Sequence, residues 1–203
     1  VHLKSGASTA DRIVVLPNGV DTERFRQDPS ARERVRKALG VTQQAFVWLS
    51  VTRFAPPKDP QTLLRAFAEL ATRSELWLVG QGDERGRAEH LTAELNLTDR
   101  VRFLGLRTDV PDLLAACDGF VLSSKSEAMP ITLLECAATE VVAVASDVGA
   151  VRSLVVDGET GFVVPPSDVA ALASSRREIS MRAASASAAS TIPRSCTRAI
   201  ASR

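Results

Sequence analysis

Short apolar runs alternate with stretches of helical periodicity along most of this chain. Phe46–Val51 is short and apolar, the pattern of a buried strand. Asp59 can cap a helix that Pro60 opens, and Leu63, Leu64, Phe67 and Leu70 then form its apolar stripe. Glu75–Val79 reads as a strand, followed by a Gly80–Gly82 turn and a helix over roughly Glu84–Leu95. Val101–Leu104 predicts a strand and Val110–Ala116 a helix capped by Asp109. Gly119–Leu122 predicts a strand, with a helix from about Pro130. Val141–Ala145 and Phe162–Val164 predict further strands, and a short helix lies between them near Val151–Val156. Ser167 or Asp168 then caps a final helix.

Buried apolar strands alternating with amphipathic helices predict an α/β fold, a Rossmann-like parallel sheet with helices on both faces. Ligands bind such sheets at the carboxyl ends of the strands. Arg53, Lys58, Glu127 and Glu135 all follow predicted strand ends, so the four are expected to converge.

The two ends of the chain fit this pattern less well. Residues 1–25 hold an apolar run, Ile13–Leu16, and the turn signal Pro17-Asn18-Gly19, and they read as a linker finishing as an edge strand. The N-terminus has neither an initiator Met nor signal-peptide character, and the chain is expected to be cut from a longer one. The domain proper is read as residues 26–173. From Ser174 to Arg203 the composition turns to Ser, Ala and Arg, with Glu178 the last acidic residue, and residues 174–203 are expected to form an irregular, poorly packed tail.

Charge is nearly balanced, 25 basic against 24 acidic residues in 203, so net charge gives no footprint for nucleic acid or a membrane surface. An apolar share of 45% suffices for a substantial core. No apolar run reaches the roughly 18 residues that span a bilayer. Cys117, Cys136 and Cys196 lack metal spacing and read as reduced thiols, which points to a cytoplasmic protein. The sequon Asn96-Leu97-Thr98 is read as chance.

The richest stretch for chemistry is Ser126–Glu135. Seven residues separate Glu127 from Glu135, with Pro130 between them at a helix start. Two carboxylates then flank a helix N-terminus, whose free N–H groups and dipole form an anion site. A phosphate with a hydroxyl-rich group on each side is what a nucleotide sugar presents. Competing motifs fail. Arg85 replaces the third glycine that a dinucleotide fingerprint starting at Gly80 requires. His2 and His90 are the only histidines, His90 reads as solvated, and no ligand cluster points to a metal.

Several segments occur in a telling order: Leu16-Pro17-Asn18-Gly19-Val20-Asp21, Arg53 with Lys58-Asp59, Val79-Gly80-Gln81-Gly82, Val101-Arg102-Phe103-Leu104-Gly105, Ser126-Glu127 with Glu135, and Asp157-Gly158-Glu159-Thr160-Gly161-Phe162. Together they resemble the C-terminal, donor-binding domain of a family-4 retaining glycosyltransferase of GT-B fold, over roughly Ala10 to Ala173. The resemblance implies that Arg53 and Lys58 bind the donor's diphosphate and Glu135 its ribose hydroxyls. It places Glu127 beside the transferred hexose. The amides of Met129, Ile131 and Thr132 are implied to help with phosphate, and backbone groups from Leu104 to Leu106 to read the base. It implies no cofactor and no metal, because Arg, Lys and the helix dipole take that electrostatic role.

An N-terminal acceptor domain is missing from the pattern, so the fragment alone is expected to bind rather than catalyse, to self-associate through the exposed interdomain face, and to lie peripheral to a membrane only as part of the full-length protein. A non-catalytic nucleotide-sugar-binding module and a nucleotide-sugar epimerase or phosphorylase of the same fold are the alternatives. The sequence also departs from the family. Thr52, Ala128 and Glu140 stand where glycine is usual, Val142 where proline is, and Ser153 where glutamate is. Glu140 would face the negative end of a helix dipole, and with a positive φ the two together would cost roughly 1–2 kcal/mol. Off-frame translation of a GC-rich gene would produce the Ser/Ala/Arg composition of the tail. A helical continuation in a neighbouring reading frame of the gene is the expected outcome of sequencing it, and its absence would refute a frameshifted end.

Overall fold

The computed structural model describes residues 16, 18–70 and 74–188. Six parallel strands form one sheet: β1 (Phe46–Val51), β2 (Ser74–Val79), β3 (Val101–Gly105), β4 (Gly119–Leu122), β5 (Val142–Ser146) and β6 (Gly161–Val164). Their order is β3-β2-β1-β4-β5-β6, which places a topological switch point between β1 and β4. Among the described residues seven α-helices cover it: α1 (Pro29–Ala38), α2 (Pro60–Ala68), α3 (Arg85–Glu94), α4 (Val110–Ala116), α5 (Ile131–Ala138), α6 (Val151–Leu154) and α7 (Val169–Ala188).

Strand alternation divides the core in two. Val47 and Leu49 of β1 join Trp77, Phe120 and Ala145 under α1, α4, α5 and α6. Trp48 joins Leu76, Leu78, Val121 and Val144 under α2, α3 and α7. The α/β architecture with helices on both faces is the one that the apolar runs predict.

Local chemistry accounts for most element ends. Asp59 accepts from the Thr62 amide at 3.4 Å, and Asp168 accepts from the Ala171 amide at 2.9 Å. Three helices close with paired terminal bonds of the Schellman type, as in Glu140 N–H to Ala137 C=O (3.0 Å) and Val141 N–H to Cys136 C=O (3.1 Å). Such a motif needs a left-handed residue after the helix. Gly40 (φ +65°) and Asn96 (φ +56°) suit it, whereas Glu140 (φ +57°) does not. Thr52 and Ala128 do not have positive φ, so of the glycine-replacing residues Glu140 alone carries backbone strain.

Four expectations need correction. Asp109 does not cap α4, because its carboxylate is taken by Arg107 at 2.8 and 2.6 Å. Asn18–Phe25 adds no strand; Phe25 instead closes a turn on Asp21 and enters the core, while most of the predicted edge run lies outside the described residues. α1 was not read from periodicity, since charged residues break its stripe. It is capped by Asp28 and opened by Pro29, and its Arg36 is fully buried against Ala116, Thr42 and Ala45 carbonyls and the Asp118 carboxylate.

The fourth concerns the supposed irregular tail, whose residues to Ala188 continue α7. Leu172, Ala173, Arg176, Ile179 and Ser180 are buried, spaced as one helix face. Arg176 is wholly enclosed, and none of its nitrogens has a hydrogen-bond partner among the described residues. Its guanidinium lies 4.7 Å from the Trp48 ring centroid and 4.9 Å from that of Phe67. Each such contact returns about 2 kcal/mol when desolvated, which only partly offsets the several kcal/mol that burying an unpaired ion costs. No helix among the described residues, α7 included, is long and apolar enough to cross a membrane.

Burial, helped by the nearby Arg100 charge, pushes Arg176 down to about 9. Below that pH both folded and unfolded chains carry the charge, and the folded state bears the full penalty. As pH rises from about 9 toward the ordinary arginine value, the folded state sheds its proton first and stability recovers. Arg176→Leu should therefore stabilise the chain by about 1–4 kcal/mol at neutral pH. Urea melts of both proteins should show that gap narrowing between pH 9 and 11. Glu140→Gly should add about 1 kcal/mol, read in the same melts, by relieving its left-handed backbone.

Candidate functional site

The loops beyond β1, β2, β3 and β4 surround an open cleft of about 620 Å³. It crosses the switch point. Thr52, Arg53 and Lys58 line it from the β1 side, Gly80 and Gln81 from β2, and Leu106, Arg107 and Val110 from β3. Glu127 and Met129 to Thr132 line it from β4 and the start of α5.

Close backbone packing builds the first wall. Gly80 has φ +134°, and a Cβ there would lie 1.9 Å from the Thr52 carbonyl oxygen. Only glycine lets the β2 loop lie against the β1 loop at that distance. Next comes the turn Pro56–Lys58, which is tied to the loop beyond β4. The Lys125 amide donates to the Pro57 carbonyl at 2.8 Å, and the Ser123 hydroxyl lies 3.1 Å from the carbonyl oxygens of both Lys58 and Asp59. The Asp59 carboxylate is buried beneath it. It accepts from the Thr62 hydroxyl at 2.7 Å and the Ser167 hydroxyl at 3.1 Å, and Lys125 lies 3.2 Å away.

This clamp aims Lys58 across the cleft at Glu127. Lys58 Nζ donates to Glu127 Oε1 at 2.6 Å, and the buried Ser124 hydroxyl donates to the same oxygen at 2.7 Å. Behind Glu127 the β5–α6 loop presses close. A Cβ on Gly149 (φ +54°) would lie 2.2 Å from the Glu127 carbonyl oxygen, and the Ala150 amide donates to the Ala128 carbonyl at 3.0 Å. Arg53 is exposed, and its guanidinium makes no ion pair or hydrogen bond among the described residues.

No side chain caps α5, whose N-cap is Pro130. Its first N–H groups and the positive end of its dipole therefore face the cleft beside Arg53 and Lys58. Such a surface suits a polyanion, and Glu127 adds one acceptor for a hydroxyl-bearing group next to it.

Arg53, Lys58, Glu127, Leu106, Met129, Ile131 and Thr132 line one cleft. Glu135 and Leu104 lie outside its lining. Glu135 stands in the second turn of α5, where burial raises its carboxyl above the ordinary range and Arg24 partly offsets the rise. Leu104 packs against the core. Arg107 escaped sequence reading, although an arginine two residues beyond a strand-ending glycine was the available signal. Its bond to Asp109 holds that carboxyl below the usual range and fixes the guanidinium plane on the cleft wall. His90 is exposed and 3.2 Å from Glu94, on the outside of α3. Among the described residues no three His, Cys, Asp or Glu side chains are grouped as metal ligands.

The chain is similar to several known proteins in sequence and fold. A galactosyltransferase of Escherichia coli, named for transfer from UDP-Gal to GlcNAc-diphosphoundecaprenol, is 32% identical over 164 residues, covering 78% of this chain and 42% of its own. A GDP-mannose-dependent phosphatidylinositol monomannoside mannosyltransferase of Mycolicibacterium smegmatis is 33% identical, over 77% and 44% of the two chains. The chain thus spans less than half the length of these curated relatives. The crystal structure of Anabaena HepE in complex with UDP-glucose superposes with a TM-score of 0.82 at 27% identity, over 97% of this chain and 53% of that one. The C-terminal domain of a Francisella tularensis group 1 glycosyl transferase (TM-score 0.70, 20% identity, 82% and 88% coverage) is alike in fold. Residues 31–183, from α1 into α7, match the family described as glycosyl transferases group 1, and the chain belongs to that family of GT-B glycosyltransferases.

Proposed function

We propose that this chain is the donor-binding half of a family-4 retaining glycosyltransferase, which binds a nucleoside-diphosphate sugar for transfer of its hexose. What carries the reading is one juxtaposition at the switch point: Arg53, unpaired among the described residues, Lys58 and the start of α5, which no described side chain caps, around a cleft that also presents Glu127. HepE was solved with UDP-glucose in a chain superposable on this one, which supports a nucleotide sugar as the ligand here.

In this reading the diphosphate lies between Arg53, Lys58 and the α5 amides of Ile131 and Thr132. Arg53 offers a planar fork to phosphate oxygens and Lys58 a compact charge. The base lies toward Leu106 and Arg107, and the hexose toward Glu127. As the bond from the anomeric carbon to the phosphate oxygen breaks, negative charge gathers on the leaving diphosphate, where the two cations and the helix dipole stabilise it. Positive charge develops on the sugar, facing the Glu127 carboxylate. These groups do the work of a metal ion, and we assign the site none. Transfer further requires an acceptor hydroxyl held over the anomeric carbon. We assign this chain the donor side only, so that alone it binds without turnover.

Calorimetric titration with UDP, GDP, ADP and their sugar conjugates tests the reading. One nucleotide should bind at micromolar to low-millimolar concentration, undiminished by EDTA. Arg53→Ala and Lys58→Ala should each weaken it by about 10- to 100-fold, the loss of a charge-assisted hydrogen bond of about 1.5–3 kcal/mol. A folded chain that binds none of them would overturn the proposal.

A further inference from the structure

Glu127 is held from one side only. Both of its donors, Lys58 Nζ at 2.6 Å and Ser124 Oγ at 2.7 Å, converge on Oε1, and Oε2 accepts nothing among the described residues. The carboxylate is nearly enclosed, 12% exposed, against 28% for the Lys58 side chain. The two donors differ in kind. Lys58 carries charge on a flexible stem and lines the same cleft as Arg53, within reach of any anion bound there. Ser124 is 1% exposed, neutral and short, and its hydroxyl has Glu127 as its partner.

We propose that Ser124 is a positioning residue that keeps Glu127 aimed at the bound sugar once a diphosphate has drawn Lys58 away; this rests on the donor-binding function proposed above. A diphosphate brings more negative charge than one carboxylate, and an ammonium with three N–H donors turns toward it. Glu127 then loses its ion pair but keeps a bond that adds no positive charge. Ser124 fixes Oε1 while Oε2 faces the cleft, free to accept from a sugar hydroxyl. A carboxylate whose remaining partner is neutral also interacts more strongly with positive charge developing on the sugar than one still paired with lysine. Ser124 itself touches no donor atom in this scheme. Its neighbour Ser123 bonds the Lys58 and Asp59 carbonyls instead, so two adjacent serines divide the work, one holding the turn that bears the cation and the other the acid.

The test separates sugar from nucleotide. Titrations compare UDP with UDP-glucose, and GDP with GDP-mannose, on the wild-type chain, Ser124→Ala, Ser124→Thr and Glu127→Gln. Ser124→Ala should leave affinity for the plain diphosphate within about twofold and lower that for its sugar conjugate about fivefold or more. Ser124→Thr, which keeps the hydroxyl, should restore most of the loss. Glu127→Gln should lose the sugar increment too, yet bind the plain diphosphate more tightly, because Lys58 no longer has to leave a carboxylate. Equal weakening of both ligands by Ser124→Ala, or of neither, would overturn the positioning role while leaving donor binding intact. A wild-type chain that binds no nucleotide would instead remove the reading on which the role rests. Thermal melts showing Ser124→Ala and Ser124→Thr folded like the wild type accompany the titrations.

Discussion

The site depends on a polar clamp between two loops that are far apart in sequence. The turn after β1 and the loop after β4 meet because their strands are neighbours in the sheet, and the meeting is made specific by Ser123 and the buried Asp59. Asp59 sits in left-handed backbone at φ +48° and draws donors from α2, from the loop before α7 and from Lys125. A buried carboxylate with that many partners is satisfied only in one arrangement, so it specifies where Lys58 points. Without the clamp, Lys58 and Glu127 would be two charges on two mobile loops. With it, they form an ion pair across the mouth of a cleft.

The same sheet that builds the cleft exposes a mismatch behind it. On the α2–α3–α7 face the core is apolar up to Leu172 and Ala173 and then meets Arg176. Helix geometry turns Arg176 inward regardless of its charge, because residues three and four positions on from Leu172 and Ala173 share their face. Tertiary packing thus overrides the polar composition of this segment, and it does so against the desolvation of a guanidinium. Arg36 on the opposite face shows what a buried arginine ordinarily requires: four carbonyls and a carboxylate close around it.

The cleft joins a cationic wall to a single acid, and this pairing makes chemical sense of family membership. Group 1 glycosyl transferases are the family that this chain matches over residues 31–183. Leaving-group charge and sugar charge in such a reaction have opposite signs, so a site serving both needs cations and a carboxylate side by side. In the free chain these neutralise one another, as Lys58 and Glu127 do here. Arg53 remains outside that exchange and keeps the cleft attractive to an anion.

Sequence alone determined the strands, most helix starts and the fold class, because short continuous apolar runs, Asp–Pro caps and Gly turns act over a few residues each. It also carried the identities of Arg53, Lys58 and Glu127, whose residue types and positions after strand ends are visible without coordinates. It could not show α1, whose stripe is broken by charges that pair with Asp118 and Asp112 far along the chain. Nor could it tell that Arg107 lines the cleft while Glu135 lies outside its lining, since the sheet, not local sequence, sets which loops meet there. The convergence of Ser124 and Lys58 on one oxygen of Glu127, and the enclosure of Arg176, were decided by tertiary structure alone. They rest on contacts between segments that only the parallel sheet brings together.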